Sequence, residues 1–155
     1  MNLYDSSNYS SAIGIDILLV EDNPRDAEMT VWALQKRNLA NQLLVLEDGA
    51  DALDYLLRRG AYTERHKQNT PKVILLDLKL PKVSGLEVLA ELRANEETQH
   101  IPVVIVTSSA EDPDVQRAYG LGANSYVVKP VDFNAFVETM SQLGFYWLLI
   151  NYSSP

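Results

Sequence analysis

Ile15-Asp16-Ile17-Leu18-Leu19-Val20-Glu21-Asp22-Asn23-Pro24 reads as a strand that ends on two carboxylates and turns at once into a helix. Its apolar run is continuous rather than alternating, as expected of a strand covered on both faces. Asn23 suits a helix cap and Pro24 the first helical position, and Ala27, Val31 and Leu34 then recur at helical spacing.

The same unit returns along the chain. Leu43 to Leu46 is followed by the Asp48-Gly49 turn and a helical pattern through Ala52, Leu53, Tyr55, Leu56 and Leu57. Val73-Ile74-Leu75-Leu76 leads through a loop, Leu80 to Gly85, into a helix face of Leu86, Val88, Leu89 and Leu92. Ile101-Pro102 opens the strand Val103 to Val106, and Asp112-Pro113 repeats the cap-plus-proline start of a helix that ends between Gly120 and Ala123. After Tyr126-Val127-Val128, Asp132 can cap a last helix carrying Phe133, Phe136, Val137, Met140 and Leu143. Five alternations of strand and helix predict an α/β fold, a doubly wound five-stranded parallel sheet.

At 155 residues the chain has room for one domain with a real core. We divide it into a loose arm at 1–12, rich in Ser, Asn and Tyr, a single domain at 13–150 and a tail at 151–155. With 21 acidic and 13 basic residues the formal charge is -8, which disfavours nucleic acid and anionic membranes as partners. There is no cysteine, so neither a disulfide framework nor a thiolate zinc site can form. The first residues lack the pattern of a signal peptide, and the run Phe145 to Ile150 is far short of the roughly 20 residues of a membrane helix. A cytoplasmic location is the expectation. His66 and His100 do not have paired ligand spacing.

In a parallel sheet of this kind ligands bind beyond the carboxyl ends of the strands. Four strand ends carry Glu21 and Asp22, Asp77, Thr107 and Lys129, so carboxylates, a hydroxyl and an ammonium should share one edge. That set suits Mg²⁺ and a phosphoryl group. Neighbours on a strand point to opposite sides, so Glu21 and Asp22 can both face an ion only if the chain turns just after Val20; otherwise one is a ligand and the other a solvated charge. With both acting, Asp22 is the direct ligand and Glu21 works through water. Asp77 closes the most apolar strand, where a carboxylate needs a cation to neutralise it. It is either a nucleophile that would form an acyl phosphate or a structural Asp paired with Lys129.

Val20-Glu21-Asp22-Asn23, the segment Leu76-Asp77-Leu78-Lys79-Leu80-Pro81-Lys82-Val83-Ser84-Gly85, Thr107-Ser108-Ser109-Ala110 and Val128-Lys129-Pro130 together resemble the receiver domain of two-component response regulators. The resemblance implies a flavodoxin-like sheet of strand order 2-1-3-4-5 with five helices. It makes Asp77 the phosphoacceptor, with Glu21, Asp22, Asp77 and the backbone carbonyl of Lys79 as ligands of Mg²⁺ or Mn²⁺. Thr107 and Lys129 would grip the phosphoryl group, and Tyr126 would be the switch aromatic that follows Thr107. It also implies a cis peptide before Pro130. Ser108 would leave the pocket accessible, and Lys79 and Ser109 take the variable positions beside it. A sensor histidine kinase would donate the phosphoryl group, and the protein would act as a switch with self-catalysed phosphotransfer and autodephosphorylation rather than as a metabolic enzyme.

The polar loop from Gly60 to Lys72 and the C-terminal Phe145-Tyr146-Trp147-Leu148-Leu149 resemble the stand-alone cyanobacterial regulators that serve phytochrome-type kinases. Phe145, Trp147 and Leu148 either cover the domain's own core or offer area for a homodimer through the face of the fourth helix, fifth strand and fifth helix. Output through contacts with a downstream protein is expected. A haloacid-dehalogenase-like phosphatase would need a second Asp two residues after its nucleophile, yet Pro24 follows Asp22 and Lys79 follows Asp77 at that distance. A receiver-fold binding module that ignores phosphorylation is the third reading, and the complete pocket argues against it.

Overall fold

The computed structural model describes residues 14–40, 42–66 and 69–152. The expected arm at 1–12, part of the Gly60 to Lys72 loop and the end of the tail lie outside the described residues. The elements alternate as β1 (Ile17–Val20), α1 (Pro24–Lys36), β2 (Leu43–Leu46), α2 (Gly49–Leu56), β3 (Val73–Leu76), α3 (Gly85–Ala94), β4 (Val103–Thr107), α4 (Asp112–Gly120), β5 (Ser125–Val128) and α5 (Phe133–Phe145). All strand pairs are parallel and the order is β2-β1-β3-β4-β5, the flavodoxin-like arrangement expected.

Because successive side chains leave a strand on opposite faces, each apolar run supplies two cores at once. Leu18 and Val20 of β1, with Ile74 and Leu76 of β3, face α2, α3 and α4 through Leu53, Leu56, Leu89, Leu92 and Ala118. Ile17, Leu19, Val73 and Leu75 face α1 and α5 through Val31, Leu34, Phe136 and Met140. The strands β1 to β4 are fully buried, whereas the edge strand β5 is only half covered.

Register fixes the heights of the strand ends. Val20 pairs with Leu76, so Glu21 and Asp77 emerge side by side. Leu76 pairs with Ile105, which lifts Thr107 one residue, about 3.3 Å, above the level of Asp77. Thr107 pairs with Val128, so Lys129 leaves the sheet one step higher still, and only a long side chain can return to the carboxylates from there.

Three expectations change. The Lys129-Pro130 bond is trans, since no cis peptide occurs among the described residues; an X-Pro bond prefers trans unless its surroundings select cis. Asp112 is the first residue of α4 rather than its cap: Glu111 takes the cap position without a side-chain bond, and Pro113 sits in the first turn where its missing N–H is not needed. Ser109 substitutes for the absent cap, its hydroxyl accepting from the Glu111 N–H at 3.3 Å and donating to Asp114 at 2.6 Å. Lastly, Trp147, in a π-helical turn at Tyr146–Ile150, is only 8% exposed and packs into the α1/α5 core, so it covers the domain and does not offer area to a partner.

The Gly60 to Lys72 loop is less open than its polarity implies. It contains a 3-10 turn at Gly60–Tyr62, and Arg65 is buried over the Tyr55 ring, with 4.7 Å from guanidinium carbon to ring centroid. The guanidinium donates to the carbonyls of Tyr55 at 2.8 Å and Leu56 at 3.0 Å, satisfying the end of α2.

Candidate functional site

The β1 end turns sharply through Asn23, which ties both sides of the turn. Its N–H donates to Glu21 Oε2 at 3.2 Å, and its side chain accepts from the Asp26 N–H at 3.1 Å to cap α1. On the other side, Gly85 allows α3 to start directly against β3: its N–H donates to the Leu78 carbonyl at 2.9 Å. A Cβ at Gly85 would collide with the carbonyl oxygen of Asp77.

Oxygens from Glu21, Asp22 and Asp77 all lie within 4.8 Å of one another, so the turn after Val20 does bring the acidic pair to one place. Glu21 and Asp77 are 5% and 7% exposed, while Asp22 is open to solvent. Lys129 reaches down as the register requires. Its Nζ lies 2.6 Å from Glu21 Oε1 and 2.9 Å from both Asp77 Oδ2 and Asp26 Oδ2. The Lys79 N–H donates to Asp77 Oδ1 at 3.4 Å.

These contacts set the titration of the groups. Burial, with the Asp77 charge adding to it, pushes the Glu21 carboxyl up to about 7 against the pull of Lys129 and the Asn23 amide. Burial alone would lower the Lys129 ammonium, but its bonds to Glu21, Asp26 and Asp77 outweigh that and raise it. These bonds favour the charged form of the ammonium.

Glu21, Asp22 and Asp77 converge beside the Lys129 ammonium, an excess of negative charge that suits a cation. Glu21 and Asp22 also line a cavity of about 210 Å³, together with Pro24, Val45 and Glu47. Asp77 does not line that cavity, so the fit to a cation rests on the convergence of the three carboxylates. The residues present thus fit a hard divalent cation.

Thr107 is wholly buried, and its Oγ1 accepts from the Ser109 N–H at 3.4 Å. Tyr126 donates its hydroxyl to the Ser109 carbonyl at 2.9 Å, and burial raises its phenol above the usual range. Ser109 thus joins the two residues expected to move together. Two participants escaped sequence reasoning. Asp26 looked like an ordinary acidic residue in the first turn of a helix, and its only signal is its place three residues after the Asn23 cap. Ser109 occupies, by the family resemblance, only a variable position beside the pocket, yet it carries four of the local bonds.

With this geometry in hand, the sequence profile of the response regulator receiver domain matches residues 17–141. The chain is a response regulator receiver domain. As a receiver it is 41% identical over 133 residues to the "Probable methanogenesis regulatory protein FilR2" of Methanothrix harundinacea, covering 85% of this chain and 83% of the relative. To "Response regulator Rcp1" of Synechocystis it is 36% identical over 132 residues, covering 85% and 88% of the two chains. The receiver superposes on the Mn(2+)-bound form of Rcp1 with a TM-score of 0.83 at 33% identity, over 91% of this chain and 99% of that one. Against the phosphorylated cyanobacterial phytochrome response regulator RcpA the TM-score is 0.84 at 31% identity, over 92% and 100%. Among the described residues no helix of the receiver is long and apolar enough to cross a membrane.

Proposed function

We propose that this receiver accepts a phosphoryl group on Asp77 from a sensor histidine kinase and signals through the conformational change that follows. The observation that carries this reading is the Lys129 ammonium, hydrogen-bonded to a buried Asp77 inside a cluster of carboxylates. Phosphoryl transfer depends on positioning and charge neutralisation, and the pocket provides both. Glu21, Asp22, Asp77 and the Lys79 carbonyl would hold Mg²⁺ or Mn²⁺, which when bound neutralises charge on the phosphoryl oxygens. Asp77 supplies the attacking oxygen, Lys129 pairs with the phosphoryl oxygens, and Thr107 donates its hydroxyl to them.

Movement of Thr107 would loosen its bond with Ser109 and, through the Ser109 carbonyl, the hydroxyl of Tyr126. Two populations of this loop then constitute the switch. Its unit is the domain at 13–150, with the arm and tail outside it. The likeness to the phytochrome response regulator RcpA supports a phytochrome-type kinase as donor, and a cytoplasmic site of action belongs to the same proposal. A downstream protein would read the α4, β5 and α5 face. A homodimer would use that same face with Phe145 and Leu148, leaving Trp147 in the core; sedimentation with and without phosphorylation checks it, and a monomer under both conditions contradicts it.

The test of acceptance is phosphotransfer from a competent kinase in Mg²⁺. Wild-type protein should take up label and Asp77→Asn should not. Steady turnover of small phosphate esters would instead favour a phosphatase.

A further inference from the structure

Lys129 has three acidic partners, and one of them stands apart. Glu21 and Asp77 belong with Asp22 to the group of oxygens that converge as a cation site. Asp26, equally close to the ammonium at 2.9 Å, is not in that group. The start of α1 aims it: its N–H is capped by Asn23 Oδ1 at 3.1 Å and its carbonyl accepts from the Thr30 hydroxyl at 2.8 Å. A favourable interaction with the helix dipole would explain an acid in this turn, but not one directed at a lysine 103 residues away.

Carboxylates engaged with a divalent cation are poorer partners for an ammonium, and the two cations repel one another. Were Glu21 and Asp77 to turn to a bound cation, Lys129 would lose two of its three anchors and Asp26 would be the one that remains.

We propose that Asp26 is a positioning residue for phosphoryl acceptance: it holds the Lys129 ammonium beside Asp77 while Glu21 and Asp77 engage the cation. This rests on Asp77 being the phosphoacceptor. With an acyl phosphate as donor, one Asp77 carboxylate oxygen forms the new O–P bond. The P–O bond to the acyl group breaks with its electron pair leaving on the carboxylate, and the phosphoryl oxygens meet an ammonium already in place.

The experiment is the rate constant for phosphorylation of the full chain by acetyl phosphate at saturating Mg²⁺, where cation affinity no longer affects the rate. Asp26→Asn should slow the reaction on the order of 10-fold, in line with the effect of a misplaced reacting group. Asp26→Glu, which keeps the carboxylate, should recover most of the rate. In a Lys129→Gln background the Asp26→Asn change should alter the rate less than about twofold, because there is no ammonium left to hold. Mere removal of negative charge predicts the opposite sign, since an anionic donor would approach more readily. An Asp26→Asn protein as fast as wild type or faster therefore overturns the proposal, as does equal slowing in both backgrounds. Slowing that matches only the unfolded fraction in thermal denaturation, or a Glu variant as slow as the Asn variant, overturns it too. Wild-type protein that never gains a phosphoryl group would refute Asp77 as acceptor, a distinct outcome.

Discussion

Glu21 carries the clearest pH signature of any single residue here. Its carboxyl is near 4.5 in an unfolded chain and is raised to about 7 in the fold, first by burial and then by Asp77. Between those values the folded protein keeps a proton that the unfolded chain has lost. Stability should therefore fall as pH rises from about 4.5 to about 7 and level off above, by up to about 3 kcal/mol. Divalent-cation affinity should move the other way, weakening below about pH 7 as protons compete for Glu21. Calorimetric Mg²⁺ titrations across pH 5.5 to 8.5 check this, and Glu21→Gln should flatten both profiles. The same residue shows what the sequence hides. Glu21 and Asp22 are both carboxylates in the sequence, and only the turn through Asn23 makes one buried and lysine-bound and the other open.

At the scale of elements, the join that bears on Asp77 is where α3 meets β3. A Cβ at Gly85 would strike the Asp77 carbonyl, a backbone atom that cannot swing aside as a side chain can. Gly85→Ala should destabilise by about 1–3 kcal/mol and, unlike a remote core substitution of equal cost, slow phosphorylation of the fraction that remains folded. Chemical denaturation and phosphotransfer on the same sample separate the two effects. Element boundaries were readable where the cap is local, as at Asn23 and Asp132; Asp48 and Ser84, legible only as a turn and a loop, also cap the helices that follow. The boundary was not readable at α4, where Ser109 performs the work from outside the turn. Arg65 was equally hidden. A charged residue in a polar loop suggests solvent, yet its partners are the carbonyls at the end of another helix, and no local pattern announces them.

For the whole molecule, the continuous apolar strands conveyed the parallel sheet and its two cores, because burial on both faces leaves no other pattern. The convergence of Glu21, Asp22, Asp77 and Lys129 followed from placing strand ends on one edge. The heights of those ends did not, since register is a property of pairs of strands; it explains why the cation at the β5 end needs a long side chain. Asp26 was invisible for the same reason, as it meets Lys129 only when α1 and β5 flank one pocket. In the proposed function all of this serves one event at Asp77. Intact-mass measurement after exposure to a competent kinase or acetyl phosphate with Mg²⁺ tests it most directly. The account predicts one added, acid-stable and base-labile phosphoryl group on wild-type protein and none on Asp77→Asn. An Asp77→Asn protein phosphorylated to the same extent, or a wild type never phosphorylated, would contradict it.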